Sequence, residues 1–173
     1  RYPDVAAGGA SPLAHYLATG GREGRIPHVL FDVDFYLARH GAAVGATGLS
    51  PLEHYVRIGA AEGFDPHPLF CGDWYVSRRP DLAASGVNPL AHYLSLGWRE
   101  GVSPHPLFDT DFYLEQAGRG GRGQPALLHY LTEGWREGFK PHPLFDPAWY
   151  LDRYPDVADM GAEPLAHFVT IGG

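Results

Sequence analysis

The sequence predicts an all-α fold, a helical repeat array similar to an α-solenoid with two helices and a short third turn per unit of about 38 residues. Two landmarks with one period predict it. A Pro-Leu-x-His-Tyr segment, here the box, is reduced to Leu-His-Tyr in the fourth unit and ends in Phe168 in the fifth. Its histidines lie at spacings of 39, 38, 37 and 38 residues, at His15, His54, His92, His129 and His167. A second landmark, the Pro-His turn, recurs at Pro27-His28, Pro66-His67, Pro104-His105 and Pro141-His142.

A third landmark, Pro or Gly at equivalent places, sets the bounds of the repeats. These residues are Pro3, Gly41, Pro80, Gly118 and Pro155. The 173 residues therefore form a single array, with units of roughly 3–40, 41–79, 80–117, 118–154 and a truncated 155–173. Because the chain starts partway through a unit, we expect it to be a piece of a longer protein.

The box predicts the first helix of each unit, which we call the box helix. Ser11, Ser50 or Asn88 precedes a proline, and this pair suits the N-cap and the first helical position. A glycine follows each box and predicts a left-handed C-terminal cap, at Gly20, Gly59, Gly97, Gly134 and Gly172.

The second helix of each unit, the capped helix, is predicted to begin after an aspartate that caps its N-terminus. These aspartates are Asp32, Asp109 and Asp146, and Cys71 stands at the same place in the second unit. The preceding phenylalanine is expected to pack on a tyrosine of the first turn, as a hydrophobic staple. Pro3, Pro80 and Pro155 should then end this helix.

Composition excludes several classes of function. The net charge of −7 argues against a nucleic-acid binder, because binding to phosphates needs clustered Lys and Arg. No apolar run approaches the roughly 20 residues of a membrane span. The single cysteine excludes an internal disulfide framework and a cysteine-based zinc site.

The repeated pattern also resembles a known class of repeats. In the third unit it reads Pro-Leu-Ala-His-Tyr-Leu, Gly-Trp-Arg-Glu-Gly, Pro-His-Pro-Leu-Phe-Asp and Phe-Tyr-Leu, between residues 89 and 114. It is similar to bacterial tandem helical repeats found beside glycosyltransferase domains and in secreted proteins that carry calcium-binding RTX repeats. The resemblance implies an accessory segment, extracellular or at the cell surface, and assigns no activity.

The histidines are the candidates for metal binding, since imidazole is a common ligand. They are the five box histidines, His15, His54, His92, His129 and His167, and the turn histidines His67, His105 and His142. The residues four on from His15 and His92 are Thr19 and Leu96, so neither histidine has a helical ligand partner at that spacing. The alternative is a structural role, in which the ring binds a backbone carbonyl at a repeat junction or packs on the next unit.

Trp98 and Trp135 are the candidates for contact with a partner or a glycan. They occupy the same place in the third and fourth units. If exposed, the indoles would stack on sugar rings or anchor a protein partner, and if buried they would fill a repeat interface.

No nucleophile–base set or nucleotide fingerprint occurs, so we predict neither an enzyme nor a bound cofactor. The sequence favours a non-catalytic scaffold or interaction module that binds a protein partner. Two alternatives stay open: a glycan-binding accessory module of a glycosyltransferase or matrix protein, which binds polysaccharide, and a repeat protein that self-associates into filaments.

Overall fold

The computed structural model describes residues 28–118, 121 and 123–172, and this part of the chain is mostly helical and contains no strand. The prediction of an all-α fold is thereby confirmed. The chain divides into two compact bodies, Arg1–His67 and Pro68–Gly173. Within the described ranges, no helix is long and apolar enough to cross a membrane.

The first body contains two described helices, α1 (Val33–Thr47) and α2 (Pro51–His54), and α2 continues as the π-helical turn Tyr55–Gly59. The first helices of the second body are α3 (Gly72–Ser77), α4 (Pro80–Ala83), α5 (Pro89–Ser95) with the 3₁₀ turn Gly97–Glu100, and α6 (Thr110–Ala117). The others are α7 (Ala126–His129) with the π turn Tyr130–Gly134, α8 (Pro147–Arg153), α9 (Pro155–Asp159), and α10 (Pro164–His167) with the π turn Phe168–Gly172.

The capped helices begin where the aspartates predict. The side chain of Asp32 accepts a hydrogen bond from the N–H of Phe35 at 3.0 Å, and Asp109 and Asp146 make the same bond at α6 and α8. Cys71 occupies the N-cap of α3 without a side-chain capping bond. The box helices keep their predicted caps at Ser50 and Asn88. Ser11 lies outside the described residues.

Aromatic staples form the core at the start of each capped helix. The rings of Phe31 and Tyr36 lie 5.3 Å apart, and Phe108 and Tyr113 repeat that distance. All four of these side chains are fully buried. Burial of one such ring contributes about 2 kcal/mol, so the staples fix the capped helix against the rest of the core.

The predicted left-handed cap at the first glycine after each box is wrong. Gly59, Gly97 and Gly134 do not have positive φ, whereas glycines four residues later do, at Gly63, Gly101 and Gly138. The box helix reaches Gly59 and Gly134 as a π turn, and a 3₁₀ turn begins at Gly97, so the left-handed glycine comes only at the second position. Gly20 lies outside the described residues.

A backbone hydrogen bond recurs between each capped helix and the next Pro-His turn. The N–H of Asp32 donates to the carbonyl of Pro66 at 2.9 Å in the first body. In the second body Cys71 donates to Pro104 at 3.0 Å, and Asp109 donates to Pro141 at 2.9 Å. Each bond satisfies an N–H at a helix start, where helices leave donors without partners.

Candidate functional site

Each described box histidine binds a tyrosine of a capped helix. The hydroxyl of Tyr36 lies 2.8 Å from Nδ1 of His54. The same pair recurs three times in the second body, at 2.8 Å for Tyr75–His92, 2.5 Å for Tyr113–His129 and 2.9 Å for Tyr150–His167. The structural role predicted for these rings thus takes a specific form, because the partner is a tyrosine hydroxyl rather than a backbone carbonyl. His15 lies outside the described residues.

The tyrosine hydroxyl also explains the first glycine after each box. A Cβ atom on Gly59, Gly97 or Gly134 would collide with the hydroxyl of Tyr36, Tyr75 or Tyr113 respectively. At Gly172 the corresponding distance to the hydroxyl of Tyr150 is 2.8 Å. Glycine is therefore needed at these positions because a buried side chain occupies the space of a Cβ atom. This requirement is independent of the sign of φ.

Burial keeps the tyrosine hydroxyls protonated. It raises the pKa of Tyr36 and of Tyr75 to about 12. At neutral pH each hydroxyl therefore keeps its proton, and the hydrogen bond occupies Nδ1 of the histidine whichever of the two groups donates. A box histidine has only Nε2 left for a metal ion, and Nε2 of His129 lies 3.9 Å from the carboxylate of Glu133.

The turn histidines His105 and His142 also form hydrogen bonds through Nδ1. His105 accepts a hydrogen bond from the N–H of Leu107 at 3.1 Å, and His142 accepts one from Leu144 at the same distance. Burial lowers the pKa of His105 to about 4, so its ring is neutral at physiological pH. His67, at the same place in the second predicted unit, is buried.

The histidines do not converge on a metal site in the part of the chain that the structure describes. There, no group of three or more His, Cys, Asp or Glu side chains is placed to hold a metal ion. The bonds at Nδ1 instead tie each described box histidine to a capped helix. These rings thus hold two helices together.

Trp98 and Trp135 are half-buried and share one arrangement. The guanidinium of Arg99 lies over the ring of Trp98 at 4.5 Å, and that of Arg136 lies over Trp135 at 4.2 Å. Each arginine also donates to a backbone carbonyl four residues earlier. One face of each indole is therefore covered, and a sugar or a partner would need the other face or would have to displace the guanidinium.

Sequence reasoning missed two other tryptophans, Trp74 and Trp149. They follow the N-cap of α3 and α8 by three residues, at a place that carries phenylalanine in α1 and α6. That aromatic periodicity was the available signal. Trp149 is 63% exposed, whereas Nε1 of Trp74 is buried without a hydrogen-bond partner.

Trp74 lines a cleft of about 470 Å³ in the second body. The guanidinium of Arg78 lies over its ring at 4.2 Å. Glu100, His105 and Phe108 line the same cleft. The cleft thus combines an aromatic wall with a cation, a carboxylate and an imidazole.

Comparison of this chain with protein-family models, with curated proteins and with solved structures gives no match.

Proposed function

We propose that the chain is a non-catalytic helical repeat scaffold in which stacked units present a surface to a protein partner. The observation that carries the proposal is the recurrent backbone bond between a capped helix and the next Pro-His turn. Its donors and acceptors lie about one repeat apart, as expected of units that each contact the next.

Side-chain contacts one repeat apart support the same proposal. In the second body the hydroxyl of Tyr93 accepts from the N–H of Leu127 at 3.3 Å, and Tyr130 donates to the carboxylate of Glu163 at 2.5 Å. Burial raises the pKa of Glu163. Each bond joins a box tyrosine to the start of the next box helix, so consecutive box helices are linked directly.

The recurrent polar side chains have structural partners, which supports a scaffold rather than an enzyme. Tyrosine hydroxyls occupy Nδ1 of the described box histidines, and backbone N–H groups occupy Nδ1 of His105 and His142. Trp98 and Trp135 remain the proposed contacts for a partner. The resemblance to bacterial accessory repeats favours a location at the cell surface or outside the cell.

Truncation at repeat boundaries tests the scaffold. A stacked array should lose stability in steps, because each unit contributes its own stability and one interface. We expect chains ending at Tyr154 and at Ala117 to remain helical by circular dichroism, with a progressively lower midpoint of urea unfolding. A matched chain cut within a box helix, after His129, should gain less stability over the chain cut at Ala117 than the chain ending at Tyr154 gains, because its last unit is incomplete. Complete loss of cooperative unfolding in the chain ending at Tyr154 would contradict the proposal.

The cleft at Trp74 favours a second candidate function, the binding of a glycan. Sugars bind to sites that combine an aromatic ring with charged hydrogen-bonding groups, and Trp74, Arg78 and Glu100 provide both.

Binding of variants to a glycan array tests which tryptophans contact the sugar. If the cleft binds sugar, Trp74→Ala should abolish binding, while the matched double variant Trp98→Ala/Trp135→Ala should retain it. The opposite result would place the sugar at Trp98 and Trp135. No binding by the unaltered protein would rule out this second function.

A further inference from the structure

The ring of His105 closes the turn that receives a backbone hydrogen bond from the preceding predicted repeat. Its Nδ1 accepts from the N–H of Leu107 at 3.1 Å, and its carbonyl accepts from the N–H of Phe108 at 3.0 Å. The peptide group that joins Pro104 to His105 carries the carbonyl that accepts from the N–H of Cys71 at 3.0 Å. The side-chain bond and the contact between repeats therefore depend on the same short stretch of backbone.

The side-chain bond recurs in equivalent Pro-His turns. Nδ1 of His28 accepts from the N–H of Leu30, and Nδ1 of His142 accepts from the N–H of Leu144, both at 3.1 Å. The carbonyl that precedes His142 also accepts a bond from the preceding repeat, donated by Asp109 at 2.9 Å. The imidazole is thus a regular part of how this turn is built.

Only an unprotonated Nδ1 can accept this bond. A neutral imidazole that accepts at Nδ1 carries its proton on Nε2, whereas an imidazolium is a donor at both nitrogens. A proton on Nδ1 of His105 would therefore place two N–H groups, its own and that of Leu107, against each other. The closed turn and a charged ring exclude one another.

The surroundings of His105 disfavour a charged ring. The charged and titratable groups that line the cleft with it are Arg78, Glu100, Asp109 and His142. Both carboxylates already have partners, since Glu100 binds Arg79 and Asp109 accepts from the N–H of Phe112. Burial is the cause of the lowered pKa of His105.

We propose that His105 is an acid-sensitive switch on the contact between the second and third predicted repeats. The unprotonated ring holds the turn in the form that accepts from Cys71, and a proton on Nδ1 opens the turn and releases that bond. The proposal rests on the stacking of repeats in the proposed function. It adds a condition, acidity, under which one repeat contact weakens.

The direction of the pH dependence follows from the two forms of the turn. The pKa of His105 is about 4 in the closed turn and takes its ordinary value of 6.5 when the turn is open. As the pH falls, the open form takes up a proton first. The closed turn therefore keeps its full stability above about pH 6.5 and loses it as the pH falls toward about 4.

Amide hydrogen exchange at Cys71 tests the switch. Protection of this N–H is measured by NMR near pH 7 and near pH 5 and corrected for the intrinsic exchange rates. We expect the protection factor to be at least about ten-fold lower at the acidic pH. The N–H of Tyr75, which donates to the carbonyl of Cys71 within α3, is the internal control and should lose less. Protection of Cys71 that acid leaves unchanged would overturn the proposal.

The variant His105→Asn separates the proton from the bond. The side-chain oxygen of asparagine can accept from the N–H two residues on, as Nδ1 does, but it takes up no proton in this pH range. We expect this variant to keep Cys71 protected at both pH values. His105→Ala has no acceptor and should show the lower protection at both. An acid effect that persists in His105→Asn, or full protection in His105→Ala, would overturn the proposal.

The ring of the unaltered protein provides a readout that needs no variant. Nitrogen-15 NMR of the imidazole distinguishes a bare Nδ1 from a protonated one. We expect protonation of Nδ1 of His105 and loss of protection at Cys71 to occur together. A ring that is protonated at Nδ1 while the N–H of Cys71 stays fully protected would overturn the switch.

The switch and the scaffold fail separately. Truncated chains that lose stability in steps, combined with an acid effect that His105→Asn leaves unchanged, would support the scaffold and overturn the switch. An acid effect that His105→Asn abolishes, combined with complete loss of cooperative unfolding on truncation, would contradict the scaffold alone.

Discussion

Helix α1 in the first body and the pair α3–α4 in the second occupy equivalent stretches of sequence and start alike, but they end differently. Each begins after an N-cap residue and directs a buried tyrosine, Tyr36 or Tyr75, to a box histidine. α1 then continues to Thr47, over 15 residues, whereas the other stretch breaks after Ser77 and resumes at Pro80. The contact with the box fixes the first turns only, and the chain beyond the tyrosine is free to vary.

Proline accounts for the difference. Pro80 has no N–H to donate into a continuing helix, and the preceding Arg79 leaves helical geometry with φ −135° and ψ 73°. Gly41 stands at the equivalent place in α1 and permits the helix to continue. The position of the next buried residue also differs. Leu82 is buried two residues after Pro80, whereas Val44 is buried three residues after Gly41.

The largest effect is expected where the glycine contacts the tyrosine. Gly97→Ala should lower the free energy of unfolding by about 3 kcal/mol, because the new Cβ collides with the hydroxyl of the fully buried Tyr75. Gly45→Ala is the matched control in the variable part of α1, where a Cβ meets nothing within 4 Å, and it should stabilise by about 0.5–1 kcal/mol. Urea unfolding measures both. Equal effects would show that the two regions are not constrained differently.

A second pair of variants tests whether a proline introduces into α1 the break that separates α3 from α4. Ala42→Pro should cost about 3 kcal/mol, the usual penalty within a helix. Gly41→Pro should cost at most about 1 kcal/mol, because the same position begins a new short helix at Pro80 and at Pro155. Thermal unfolding followed by circular dichroism compares the two. A similar loss in both variants would contradict the role given to proline.

The tyrosine–histidine bond should matter more in the first body. Tyr36→Phe leaves Nδ1 of His54, which is 1% exposed, without a partner, at a cost of about 2 kcal/mol. Tyr75→Phe should cost only about 1 kcal/mol, because His92 is half-buried and water can replace the hydroxyl. Denaturant unfolding of the two variants gives the difference, and an order opposite to this one would contradict it.

The smallest effect concerns the start of the two helices. Cys71→Asp should stabilise the protein by about 1 kcal/mol, because the carboxylate can cap α3 as Asp32 caps α1. Asp109→Ala provides the reverse comparison and should destabilise by a similar amount through loss of its bond to Phe112. Unfolding midpoints that do not change in either variant would mean that capping contributes little here.

Local chemistry made much of the fold predictable. The N-caps Asp32, Asn88 and Asp109 act within one turn of the chain, and the structure places helix starts at these residues. The glycine after each box was misread for the same reason. Sequence alone favours a left-handed cap at Gly97, whereas the need for glycine comes from Tyr75, which is 22 residues away.

The candidate site was predicted less completely. The periodic histidines were found, but their tyrosine partners were not, because no local pattern joins Tyr113 to His129 across the glycine-rich, degenerate stretch between them. Trp74 was missed since its cleft includes Glu100 and His105, which come from a later part of the chain.

The sequence by itself determined the helical class, the helix starts and the period of the landmarks, because capping and proline chemistry act between neighbouring residues. Only the tertiary structure decided that the box histidines bond to tyrosine hydroxyls, that Gly59, Gly97 and Gly134 make space for those hydroxyls, and that Leu144 is exposed while Leu69 is buried. These features depend on which distant residues fill the space around a side chain, and that is set by packing rather than by the local order of residues.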